Sequence, residues 1–576
     1  MGTGEQDSVS SVQHLSGRGR QDHTFDAIVI GSGMSGGWAA KELCEKGLKT
    51  LVLERGRNVE HIKDYPTAMK SPWELPHRNT LTLQEQTDNP IAASCYAYSP
   101  ATEHFFVKDK EHPYIQEKPF HWIRGYQAGG KSLTWGRWTQ RWSDLDFEAN
   151  AKDGTGIDWP IRYRDIAPWY DYVETFVGIS GNRDGIPHLP DGVFQPPMEL
   201  NCIEQHFKET VEKEFEGRRV ITSRMANLTR GLKDRGPCQY RDLCSRGCPY
   251  AGYFSSVSAT LPAAAATGNM HFKTHAVVNS IIYDEKENKA TGVRVTDAMT
   301  GQLTEYYARL IFVNAGTINT TLLLLNSVSN RFPAGLGNTN DVLGHYLMDH
   351  NYRAQFEGSH TGFQDRYYYG RKPAGIYIPR FRNVGKDQQK EFIRGYAFAA
   401  GGSRRRGNVQ DDVIGAALKA KMTEAGEWDL WMTGMGECLP YYDNKITLHP
   451  DKKDQWGMPL VIIDCSYREN EMKMLKDILA TGVEMLERAG FSHVEGYDTE
   501  KPPGLGIHEM GTARMGKDKK TSFLNAHNQV WDVPNVFVTD GACMTSSACQ
   551  NPSLTYMALT ARATDFAMTE LKKGNL

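Results

Sequence analysis

No stretch of the chain reaches the roughly eighteen consecutive apolar residues that a membrane-crossing helix needs, so a protein without a membrane span is expected. An apolar leader core is missing too. Met1 to His23 is rich in Ser, Gly and Gln; it reads as a flexible tail and makes the cytoplasm the default location. Nor is there a surplus of either charge: 66 Lys and Arg stand against 69 Asp and Glu, leaving nothing to hold nucleic acid. Cysteine is sparse. Its ten residues in 576, scattered with one exception, do not indicate a secreted disulfide framework. Internal repeats and low-complexity blocks are absent as well, and a chain of this length has room for two joined domains around a large core.

The N-terminal third holds a fingerprint. Phe25 to Ile30 reads as a buried strand that runs into Gly31-Ser32-Gly33-Met34-Ser35-Gly36 and then into the helical pattern Trp38 to Leu43. In a dinucleotide site the first glycine permits the tight turn, the second lets backbone approach a pyrophosphate, and the third allows close helix packing, while the helix N-terminus offers free N–H groups. A second strand, Lys49 to Leu53, ends in Glu54, followed by Arg55. An acid about twenty residues beyond the first glycine suits a ribose hydroxyl and disfavours a 2′-phosphate, which points to FAD or NAD over NADP. The plainer alternative is a glycine turn in an ordinary strand-turn-helix unit.

The other end carries His508, within Gly506 to Gly516, and Asn551, within Gln550-Asn551-Pro552-Ser553. A histidine can take a hydroxyl proton near neutral pH, and an asparagine amide can both donate to and accept from an alcohol oxygen. Alone, His508 reads more readily as a structural histidine than as a catalytic one. Three cysteines are clustered, Cys238, Cys244 and Cys248, the last followed by Pro249. That density suits either an iron–sulfur cluster or a loop of reduced thiols; zinc lacks an evident fourth ligand.

These segments resemble the glucose-methanol-choline (GMC) family of FAD-dependent alcohol oxidases and dehydrogenases, from about Asp26 to Asp565. The likeness extends to Gly125 to Gly136, to Leu310 to Thr317, to Gly344-His345-Tyr346-Leu347-Met348-Asp349-His350, and to Asn535 to Ala542. It implies an α/β chain (α+β overall), with a Rossmann-like FAD-binding domain interleaved with an antiparallel-sheet substrate domain. The FAD part would take residues 24–335 and 505–576, with substrate-domain insertions at about 61–119 and 151–230; residues 336–504 would be mainly substrate domain. His508 and Asn551 fall on the family's active-site pair. The resemblance assigns flavin contacts to Gly129, Gly130, Ser132, Thr134, Trp135 and Gly136. It assigns nucleotide contacts to Ala315, Gly316, Asp540, Gly541, Pro552 and Ser553. Val278 would touch adenine, although by pattern it reads as a β-meander core valine.

Thr134 stands where pyranose oxidases carry a flavin-linked histidine, so the FAD is expected to be non-covalent. The cysteine segment is similar to that of FAD-dependent glucose dehydrogenases with a [3Fe-4S] cluster, which would pass electrons to an external acceptor. The wording of the motifs is most similar to the bacterial sugar dehydrogenase branch. It implies oxidation of a sugar secondary alcohol, C3 of a glucoside for preference, with an aldonate, a polyol or a non-sugar alcohol as the alternative. Relatives in that branch work with a small accessory subunit or a cytochrome and can be exported with it to the periplasm. A flavin-binding electron-transfer module without alcohol chemistry is the rival of another class. Trp428 and Trp431 read as core residues more readily than as a platform for a sugar ring.

Overall fold

Strand β1 (Thr24–Ile30) is apolar on both faces, and Ala27 to Ile30 are shielded from solvent except for traces, as expected of a parallel strand covered on both sides. The structure, a computed structural model, describes residues 21–367, 375–406 and 413–576; the N-terminal tail lies outside these up to residue 20. Helix α1 (Met34–Glu45) follows, and β2 (Thr50–Leu53) returns parallel to β1. On the far side of β1 lies β3 (Leu303–Val313), also parallel, which leads into α2 (Thr317–Asn326). Residues Val536–Val538 pair parallel with β3. Strands 270–273, 289–297 and 276–284 complete a seven-stranded sheet.

Register sets what this sheet does. Ile30 pairs with both Leu53 and Val313, and Val313 pairs with Val538. Four strands therefore stop level with one another. The residues that follow, Gly31, Glu54, Asn314 and Thr539, emerge along one carboxyl edge, which is where open parallel sheets hold ligands.

The second sheet has six strands, all paired antiparallel. Within it β4 (Ala425–Gly436) alternates: Trp428, Leu430 and Met432 enter a core shared with Met474, Leu475 and Ile478 of α3 (Glu469–Arg488). Glu471 closes the start of α3 by accepting the Arg468 N–H at 2.9 Å. Each of those α3 side chains adds about 1.5–3 kcal/mol by leaving water. Sequence spacing placed this helix near 470–490, within two residues of its ends. The final helix, α4 (Ser553–Lys572), packs Ala563, Ala567 and Met568 with Leu43 of α1. It thereby brings Asn551, just ahead of its first turn, back to the sheet edge. Among the described residues no helix is long and apolar enough to cross a membrane.

Candidate active site

A cavity of about 610 Å³ opens over the carboxyl edge of the parallel sheet, a size within the range of cofactor sites. Gly31 turns the chain there with φ +94°, and a Cβ on it would stand 2.3 Å from the Asn314 carbonyl oxygen. Gly36 does not line the cavity; its role is contact, since a Cβ would lie 2.0 Å from the Gly31 oxygen. Gly33 is different. The nearest heavy atom to its missing Cβ is 4.0 Å away, so it leaves room for a ligand rather than for protein. Ser32, Met34 and Ser35 complete this wall. The Glu54 carboxylate accepts from Ser32 Oγ (2.5 Å), Ser32 N–H (3.2 Å) and Gly56 N–H (2.9 Å). Burial pushes its pKa up, against those bonds. Arg55 pairs with Asp454 at 3.1 Å and stacks on Tyr126 and Trp456.

The facing loop is tied to this turn. Gly129 N–H donates to Ser32 Oγ (3.0 Å), and Ser132 Oγ donates to the Gly129 carbonyl (2.5 Å) while accepting from Ser256 N–H (3.0 Å). Gly130, Ser132, Thr134, Trp135 and Gly136 line the cavity, whereas Gly129 stands behind it. Val278, Ala315, Gly316 and Gly541 are also on the wall. Asp540 reaches the start of α2, accepting from Gly316 N–H (2.9 Å) and Thr320 Oγ1 (2.6 Å); burial raises its carboxyl to about 6. Ser553 lines the cavity, and Pro552 caps α4 without doing so.

Also on the cavity wall, His508 Nε2 lies 3.2 Å from Asn551 Nδ2. The strand-free stretch carrying His508 is held by Asp349, whose carboxylate accepts the backbone N–H groups of His508 (3.0 Å), Gly504 (2.8 Å) and Gly506 (3.0 Å). Burial and the charge of Glu509 raise Asp349 to about 6. Burial, with help from His350 and Lys131, holds the His508 imidazole well below its ordinary value. Lys131 and Glu509 form an ion pair of 2.8 Å beside it. Asn551 Oδ1, Glu509 Oε1 and Tyr556 Oη are buried with no protein partner, the condition that the polar groups of a ligand would relieve.

Two family models, both described as GMC oxidoreductase, match residues 25–352 and 440–560. The chain is a GMC oxidoreductase. It is 30% identical to the 2-methyl-1,2-propanediol dehydrogenase of Mycolicibacterium austroafricanum, over 94% of each chain. With the fructose dehydrogenase large subunit of Gluconobacter japonicus it shares 24% identity, over 95% of this chain and 98% of that one. Pyridoxine 4-oxidase from Mesorbium loti superposes with a TM-score of 0.56 at 16% identity, covering 95% of this chain and 99% of that one; this likeness speaks to the fold alone. Members of the family are FAD-binding oxidoreductases acting on CH–OH groups, and the glycine turn, strand-end acid and unpartnered polar atoms of this cavity suit such a cofactor.

Two expectations need correction in this GMC oxidoreductase. Trp431 is not a core residue: strand side chains alternate, so three positions after buried Trp428 it faces the other way, onto the cavity with Gln355 and Met435. The thiols of Cys238, Cys244 and Cys248 are half-buried, and among the described residues no group of three His, Cys, Asp or Glu converges to hold a metal. Burial and its two cysteine neighbours push the Cys238 thiol up to about 11, and its sulfur accepts Tyr240 N–H at 3.4 Å. The segment therefore gives an iron–sulfur cluster no support. Sequence reasoning also passed over Asp349, His350, Lys131 and Gln355 as site residues; each earns its place through contacts made across long stretches of chain.

Proposed function

We propose that this enzyme oxidises a secondary alcohol of a sugar, C3 of a glucoside for preference, to a ketone, with FAD held non-covalently in the strand-end cavity. The observation that carries this reading is the convergence of His508 and Asn551 to 3.2 Å on a cavity that the glycine turn also lines. FAD, when bound, supplies the hydride acceptor. The chain does the rest. His508 Nε2 takes the hydroxyl proton, and the Asn551 amide steadies the alcohol oxygen. Glu54 has at least one carboxylate lone pair beyond its three protein donors for a ribose hydroxyl. Gly33 and the N-terminus of α1 would face the pyrophosphate. Trp431, with its ring on the cavity side, would offer an apolar face to a pyranose. Thr134 is the reason for expecting a non-covalent cofactor, because at this place on the cavity wall the chain carries a hydroxyl and no imidazole to form the link.

An external acceptor other than dioxygen fits the two relatives named as dehydrogenases. A non-sugar diol is the second reading, favoured by the 30% identity to a propanediol dehydrogenase. The deciding experiment is the anaerobic visible spectrum of purified holoenzyme before and after addition of methyl glucoside or, separately, 2-methyl-1,2-propanediol. Bleaching by the glucoside supports the sugar reading. Bleaching by the diol alone replaces it with the second, and bleaching by neither removes both. Acid precipitation of the same sample should leave the yellow colour in the supernatant.

The depressed basicity of His508 has a consequence for pH. A base whose pKa lies well below 6.5 stays unprotonated as pH falls through that value, and its activity is lost only below its own pKa. Flavin reduction is therefore expected to be level between about pH 6 and 8. A rate that halves near pH 6.5 would show an unperturbed imidazole instead.

A further inference from the structure

His350 does not line the cavity, yet it touches the residue that does. Its ring is fully buried, its Nδ1 lies 2.9 Å from His508 Nδ1, and its Nε2 lies 2.5 Å from the Ala548 carbonyl oxygen. The two rings meet edge to face, with centroids 4.8 Å apart and planes at 72°.

We propose that His350 is a positioning residue that fixes His508 as the Nδ1–H tautomer and thereby keeps the Nε2 lone pair turned toward the alcohol. This rests on the reading of His508 as the base. A carbonyl oxygen only accepts, so the hydrogen of the His350–Ala548 contact sits on His350 Nε2. A neutral ring then has a bare Nδ1, and burial, which brings His350 down to about 4, keeps that ring neutral. Two nitrogens 2.9 Å apart need one hydrogen between them. Since His350 Nδ1 has none to give, His508 Nδ1 supplies it. Nε2 of His508 is left as an acceptor; the Asn551 amide, 3.2 Å away, donates to it, and the alcohol hydroxyl takes that place when substrate is bound.

The arrangement serves the reaction as well as the resting state. When Nε2 takes the hydroxyl proton, the ring becomes cationic, and its Nδ1–H already points at an acceptor that the Ala548 carbonyl holds in place. A neutral acceptor orients the base without the strong rise in basicity that a carboxylate in the same place would cause. With that acceptor gone, the ring is free to adopt the other tautomer, whose Nε2–H has no capacity to take a proton.

Two measurements on FAD-loaded protein test this. The first is ¹⁵N NMR of histidine-labelled wild type, with His508 assigned as the signal pair missing from His508→Ala. A protonated Nδ1 with a bare Nε2 is expected; the reverse pattern overturns the proposal whatever the kinetics show. The second is anaerobic stopped-flow with methyl glucoside on His350→Phe, which fills the space without an acceptor, and His350→Asn, which restores an acceptor near the Nδ1 position. His350→Phe should lower the limiting reduction rate about tenfold to a hundredfold, the worth of a hydrogen bond to a charged group, with apparent substrate affinity within about twofold of wild type. His350→Asn should recover most of that loss. A His350→Phe enzyme that reduces at the wild-type rate overturns the positioning role, as does an equal loss in both variants. Should His350→Phe fail to fold, the wild-type spectrum and His350→Asn still decide. If His508→Ala itself reduces normally, the reading of His508 as base has failed, a result separate from failure of His350 alone.

Discussion

His508→Ala is expected to keep its FAD and to lose substrate-driven reduction by about a thousandfold, within the 10²–10⁴ range that a positioned general base supplies. The geometry confines the damage. His508 reaches the cavity through its ring, while its backbone N–H is the part that Asp349 holds, at 3.0 Å, so truncation of the side chain leaves the loop anchored. Asn551→Ala should cost less, about tenfold to a hundredfold, because it removes one hydrogen bond to the reacting oxygen and not the proton acceptor. Single-turnover reduction at saturating substrate is the measurement. Wild-type rates in His508→Ala would mean that the proton leaves by another route, and the assignment would fall.

The second large effect concerns two glycines that a motif treats alike and the structure separates. Gly31→Ala places a methyl 2.3 Å from the Asn314 oxygen at φ +94°, so the turn itself is strained, by about 1–3 kcal/mol for the backbone alone, and the neighbouring end of β3 is displaced. A loss of both thermal stability and FAD content is expected. Gly33→Ala meets no protein atom closer than 4.0 Å. Its apoprotein should melt within a degree or two of wild type, yet its affinity for FAD should fall at least about tenfold, because the methyl projects into the space left for the ligand. Melting curves of apoprotein together with FAD titration separate the two. Equal affinities in Gly33→Ala and wild type would mean that the cofactor's phosphates do not pass over this residue.

These contrasts show how far sequence carried. The glycine turn, the strand ending in Glu54 and the α3 stripe were legible because each is local: a period or a spacing within about twenty residues declares it. His508 and Asn551 were singled out because few residue types can remove a hydroxyl proton, and the fold brings the two to 3.2 Å. Their partners were not. His350 stands 158 positions from His508, and the bond between their rings exists only because both sheets are in place. Lys131 and Glu509 are paired across 378 positions, beyond the reach of any local pattern. Trp431 was misread for a simpler reason: counting from Trp428 in a strand would have turned it to the opposite face. The cysteines are close along the chain and neighbours in space, yet among the described residues they form no group arranged to hold a metal.

The level ending of the four parallel strands also bears on how the enzyme is made. Gly31 follows β1 directly, whereas Val536–Val538, His508 and Asn551 lie several hundred residues further along the chain. A ribosome-bound chain can form the N-terminal turn early, but the cavity floor closes only when the last strand docks beside β3. A complete cofactor cavity therefore requires that segments hundreds of residues apart have both been made and docked. Until then the half-built edge leaves the end of β3 open to wrong pairings.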